Sequence, residues 1–303
     1  MAAVSRPRLP SPAKLLIIVM ALGLIFGLYR LILHQNVARH VQLLARSMPN
    51  CTGIRYGRLK IPFFSFQAHL QNVKLDFANG IAPITIDAIH IRRFRPGDRL
   101  PRILDVALDG VVAPSAHPLL VPFGQRLREL DYPIVHGDLH IQWTRRGTIL
   151  DTWDLDLAFN MADAGDMALA LNLAKVNLEG VFLALQKPVN WLMVLPSMEL
   201  MAFRGSYLDR GMFERAARVA ARDRGQTPQA LRMALQRQLQ IEGQNEKDPY
   251  VRSVWQTLDA FVRHPDRIHL RTNLAAPIPL GQLWWLRRPR DVIQRLGLEC
   301  RVG

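Results

Sequence analysis

HGDLHIQW, residues 136–143, sets His136, Asp138 and His140 at every second position. Imidazole and carboxylate are ligands that zinc or iron takes from a protein, and the same groups serve in general acid–base catalysis. On a strand these three side chains share one face with Gln142, and Leu139, Ile141 and Trp143 share the other. The spacing decides against a metal site made by this strand alone. Same-face residues lie about 7 Å apart along a strand, so the outer pair stand about 13 Å apart. A ligand atom must come within about 2 Å of zinc, so at most two of the three could reach one ion, with further ligands imported from elsewhere. The alternation is also what any half-exposed strand shows, a wet face and an apolar one.

Other residues with chemical potential read the same way. Asp105 with Asp109, and Asp154 with Asp156, are paired carboxylates on the outward faces of strand-like segments beside arginine-rich turns. That is the pattern of solvated ion pairs rather than of a glycosidase pair. Ser206, Tyr207 and Asp209 fall where strand gives way to helix, where Tyr207 is placed to anchor the helices and Asp209 to cap the first. GxSxG, HExxH, a P-loop and a GxGxxG after a strand are all absent. The sequence therefore reads as non-enzymatic, with no cofactor implied. A metal-dependent hydrolase built on HGDLH is the weaker alternative.

The elements that would position these residues follow from periodicity. After SMPNCTG the apolar spacing changes from near four to two. Phe64, Phe66, Ala68 and Leu70 alternate with polar partners, then the phase slips to Val73, Leu75 and Phe77, as at a bulge or a short break between strand segments. Strands are expected around Ile84–Ile91, Leu104–Leu108, Leu139–Trp143, Trp153–Met161 and Met167–Leu173. Short loops between them make an antiparallel meander over 50–208. Its apolar side carries Phe64, Phe66, Leu70, Leu139, Ile141, Trp143, Leu155, Leu157, Phe159, Leu169 and Leu171, the candidate surface for a hydrophobic ligand. Helices come late, in an insert over 209–264: one over Gly211–Asp223, one opened by Thr227-Pro228, one opened by Asp248-Pro249. A strand–helix–strand segment, 265–303, completes the chain. The expected fold is α+β, with a long curved antiparallel sheet and the helical insert packed on it.

The chain of 303 residues carries a formal net charge of +14. Its arginines are scattered, with short clusters only at Arg92-Arg93, Arg145-Arg146 and Arg287-Arg288, and no nucleic-acid-binding module accompanies them. Anionic lipid headgroups suit such a surface better than nucleic acid does. Residues 15–33, LLIIVMALGLIFGLYRLIL, form an apolar run interrupted once by Arg30, near the length of a bilayer span. Arg6, Arg8 and Lys14 precede it and no convincing cleavage site follows, as in an uncleaved signal anchor. The reading is a tail at 1–14 inside, a single-pass anchor at 15–33, a juxtamembrane helix at 34–49 and the body outside. Gly23 and Gly27 make a GxxxG spacing in the span, which would allow close helix contact, though in so short and apolar a stretch chance explains it better. Cys51 and Cys300 could close one very long loop as a disulfide in an oxidising compartment, or be unrelated thiols.

The anchor, then GIRYGRLKIPFFSFQAHLQNVKLDF, then long amphipathic strands, resembles bacterial membrane-anchored periplasmic proteins of the broad AsmA-like type. SYLDRGMFERAARVAARDRGQTPQALRMALQRQL and RIHLRTNLAAPIPLGQL are similar to uncharacterised envelope proteins of that general kind. The resemblance implies a long sheet with an apolar inner face, an inner-membrane protein with a periplasmic body, and a role in envelope maintenance or lipid handling. Its partners would be the membrane and a lipid or other hydrophobic ligand. An anchored adaptor that holds an envelope protein through the 211–263 helices is the competing reading.

Overall fold

The computed structural model describes residues 50–62, 67–95, 101–120, 123–147, 150–177, 180–181, 191–283, 285–286 and 288–303, together with Gln35, Arg39 and Gln42. The anchor at 15–33 with Gly23 and Gly27, and also Phe64 and Phe66, lie outside these residues. Among the described residues no helix is long and apolar enough to cross a membrane.

Alternating sequence forms the strands β1 (Cys51–Arg55), β2 (Arg58–Lys60), β3 (Ala68–Phe77), β4 (Ile84–Arg95), β5 (Ile103–Pro114) and β6 (Ile134–Arg146). After them come β7 (Leu150–Met161), β8 (Gly165–Asn177), β9 (Glu199–Asp209), β10 (Arg267–Thr272), β11 (Ile278–Pro279) and β12 (Leu298–Val302). All twelve form one sheet in the order β1-β3-β4-β5-β6-β7-β8-β9-β10-β12, with β2 beside β3 and β11 beside β9. The terminal strands thus continue the meander rather than forming a separate unit.

The side-chain phase does slip between Leu70 and Val73, both of them buried, while the pairing of β3 with β4 keeps one register and so makes no bulge. Asn72 takes a left-handed φ of 52°, a conformation that asparagine tolerates, and the apolar face is recovered beyond it. A second break, between Leu108 and Val111, is made by Gly110 at φ 61°, whose N–H donates to the Asp138 carboxylate at 2.8 Å.

The longer helices among the described residues are α1 (Phe123–Glu129), α2 (Met212–Asp223), α3 (Pro228–Asn245), α4 (Pro249–Arg263) and α5 (Pro289–Leu296). Both Thr/Asp-Pro signals hold. The Thr227 hydroxyl accepts from the Ala230 N–H at 3.2 Å, and the Asp248 carboxylate accepts from the Tyr250 N–H at 2.9 Å. Asp209 also behaves as expected, accepting from the N–H groups of Gly211 and Phe213, while the Tyr207 hydroxyl donates to it at 2.6 Å.

Among the described residues, four buried clusters form. One, around Leu70, Val73 and Ile86, lies under β3–β5, and another, around Val251, Val254 and Trp255, joins α4 to Leu298 and Cys300 of β12. Smaller clusters form around Trp153 and Val176, and around Tyr132 and Met161, towards the two ends of β7.

The disulfide between Cys51 and Cys300 is not there. Both thiols are free, and β1 and β12 are separated by eight intervening strands. Burial of Cys300 pushes its thiol pKa up to about 11.

Candidate functional site

Antiparallel register turns the alternation of each strand into rows that cross the sheet. On one face Ile141, Leu157, Leu169, Gly205, Leu270 and Cys300 lie in line, flanked by the row of Leu139, Phe159 and Met167 and by that of Trp143, Leu155 and Leu171. Gly205 leaves room there for the Phe203 ring and the Leu169 side chain, which a Cβ would meet. Helices α2–α4 reach this face at its β9–β12 end, where Phe261 of α4 packs edge-on to Tyr207 and Leu298 and Cys300 join the helical core. The loop around Pro118–Leu120 covers the β3–β5 end, where Leu120 packs on the first cluster.

Between these covered ends, Leu139, Ile141, Leu155, Leu157, Leu169 and Leu171 are only half-buried and belong to none of the four clusters. Met167 beside them is 41% exposed. Trp143 stacks on Trp153 with ring centroids 6.2 Å apart, and its indole N–H donates to the Pro101 carbonyl at 3.0 Å. Phe159 packs against the Tyr132 cluster. Leu70 does not belong to an open surface: at 1% exposure it is one of the most buried side chains, because β2 and the Pro118–Leu120 loop close over that end. The eleven residues expected to form one apolar surface are therefore not equivalent. Eight of those described, Leu139, Ile141, Trp143, Leu155, Leu157, Phe159, Leu169 and Leu171, remain partly open.

The opposite face carries a row that sequence reasoning did not assemble: His69, His90, Ala107, His140, Ala158, Ala168, Ser206, His269 and Arg301, in cross-strand register from β3 to β12. His69 and His90 share a hydrogen bond between their Nδ1 atoms at 2.7 Å, so at least one of the two rings is neutral there. Burial first, then the charges of His90 and Lys60, holds His69 below the usual histidine range. His90 Nε2 reaches Asp109 at 2.8 Å, and His140 Nε2 reaches Asp105 at 2.8 Å. Asp105, expected on a solvated face, is buried at 8% exposure beneath that imidazole. HGDLH is thus dispersed: His140 is held by Asp105, Asp138 by the Gly110 N–H, and His136 is exposed. Among the described residues no three His, Cys, Asp or Glu side chains converge as a metal site.

The small residues of this row floor a trough. One part of it, about 630 Å³, is lined by Ala158, Ala168, Ala170 and Ser206 below, and by His140, Arg204, His269, Arg271 and Arg301 at the sides. A second part of about 450 Å³ shares His140, Ala158, Ala168, Ser206 and His269 with the first and extends towards Arg92 and Asp109. The available signal was RIHLRT, residues 267–272. Reading Ile268 and Leu270 inward also places Arg267, His269 and Arg271 together on the outward side.

A family model described only as "Uncharacterized protein" matches residues 158–302, from within β7 to the end of β12 with α2–α5 between them. No curated protein matches the chain.

Proposed function

We propose that this is a non-enzymatic protein of the bacterial cell envelope, held in the inner membrane by a single span at 15–33, whose periplasmic sheet receives the acyl chain of a lipid on its apolar face. One observation carries the reading: the half-exposed band across β6–β8, open between two ends that other elements cover. From Leu139 to Trp143 and across three strands the band measures about 14 Å by about 10 Å, roughly 140 Å². A stable protein interface needs about 800 Å² on each partner. The band is too small for that and suits an alkyl chain, each methylene of which contributes about 0.8 kcal/mol when it leaves water. The scattered positive charge favours an anionic headgroup nearby.

The test is face-selective photocrosslinking of the full chain in its own membrane. A photoreactive side chain at Leu157 or Ile141 should yield lipid adducts by mass spectrometry, and one at Gln142, on the other face and outside the trough, should not. Adducts from both faces alike, or from neither, would overturn the reading.

The adaptor reading keeps one specific support. Helix α3 holds Met233 at 57% and Ile241 at 49% exposure. If these anchor a protein partner, Met233→Glu with Ile241→Glu removes its co-purification and leaves the lipid adducts unchanged.

A further inference from the structure

We propose that the trough on the polar face binds a phosphate group at its β9–β10–β12 end. This site lies on the side of the sheet opposite the apolar band, so it stands or falls independently of acyl-chain binding. Strand β10 sets Arg267, His269 and Arg271 on one face at alternate positions. Register adds Arg204 opposite Arg271, Ser206 opposite His269 on one side, and Arg301 opposite His269 on the other. Three adjacent strands therefore gather four guanidinium groups and an imidazole within an area of about 10 Å by 14 Å.

Within those strands this face carries two carboxylates: Glu299, which pairs with Arg271, and Glu199 at the far end of β9, which Lys175 holds. Asp156 lines the same trough but stands across Ala170 from Arg204, about 10 Å away over two strand spacings. Arg204, Arg267 and Arg301 have no side-chain partner among the described residues. Elsewhere on the sheet Arg55, Arg146 and Lys175 each hold a carboxylate across a strand pair.

Like charges placed directly opposite each other, as Arg204 and Arg271 are, oppose strand pairing. A bound anion relieves that repulsion, and the Ala168, Ala170 and Ser206 floor gives it depth to settle between the arginine heads. Guanidinium forks match phosphate oxygens in pairs, and the Ser206 hydroxyl is available as a further donor. A phosphate monoester or diphosphate, with more than one negative charge, balances this excess better than a single carboxylate does. The phosphate could come from a lipid headgroup or from a soluble phosphate compound.

The experiment uses the full chain in neutral phosphatidylcholine nanodiscs, titrated by calorimetry with inorganic pyrophosphate and, separately, with short-chain phosphatidylglycerol. The variant is Arg204→Gln with Arg301→Gln, and the control is Arg224→Gln with Arg237→Gln, which removes equal charge from exposed positions of the helical insert outside the trough. Saturable binding of either probe that weakens tenfold or more in the trough variant and less than twofold in the control supports the site. The probe that binds more tightly identifies the source of the phosphate. Absence of saturable binding by both probes, or equal weakening in both variants, overturns it. Unchanged circular dichroism of the trough variant separates loss of binding from loss of fold.

Discussion

The His69–His90 contact shows what one hydrogen bond can do to a fold's response to acid. It requires a donor on one ring and a lone pair on the other, so charging both rings breaks it. His117 shares the preference for neutrality: it is buried against the edge of Phe77, and burial lowers its proton affinity. In the unfolded chain both histidines regain the ordinary value of about 6.5. As pH falls below that, the unfolded state takes up protons first, so stability is complete above about pH 6.5 and is lost progressively below it. Thermal unfolding of the full chain should therefore show a midpoint that declines on acidification from about pH 7 to about pH 5, and His69→Gln with His117→Asn should flatten that decline. A midpoint that rises over this interval would contradict the assignment. The faces of HGDLH were legible from period two alone. Its partners were not, because Asp105 lies 35 residues away from His140 and only register brings them together.

Among the elements, the helices were the most legible because their signals are local. Thr227-Pro228 and Asp248-Pro249 each combine a side-chain acceptor with a residue that lacks an N–H, and both open helices at those positions. Thr227→Ala leaves the Ala230 N–H without its acceptor and should cost about 1 kcal/mol in chemical denaturation, with Thr227→Ser restoring most of it. Equal stability of Thr227→Ala and the parent chain would show that the cap contributes nothing. Strands were legible in existence but less so in their pairing. Where the phase slips, as at Asn72 and Gly110, sequence shows that a break occurs without showing that the register holds through the first and shifts at the second. The polar trough escaped notice for this reason: its lining comes from six strands, each contributing one to three residues of ordinary polarity.

At the scale of the whole molecule, the helical insert is an excursion between two strands that are already neighbours. Leu208 of β9 pairs with Arg267 of β10, so a tight turn could replace residues 211–265 without moving either strand. Such a deletion would nevertheless uncover Tyr207, Leu298 and Cys300. The shortened chain is expected to self-associate in sedimentation experiments in proportion to that newly exposed apolar area. A monodisperse product would mean that the insert serves a partner rather than the sheet. The two cysteines teach the same lesson about distance: ends of a meander that are far apart in sequence become opposite edges of a sheet, not neighbours. Finally, the alternation that separates the greasy side from the cationic side behaves as a reading frame of two. Adding one residue near the start of β8 would send Leu169 and Leu171 into the arginine trough and turn Ala168 and Ala170 towards the apolar band, whereas adding two would restore every later side chain to its own side. The two surfaces of this sheet are therefore inherited together, and length changes within its strands can preserve both only in steps of two.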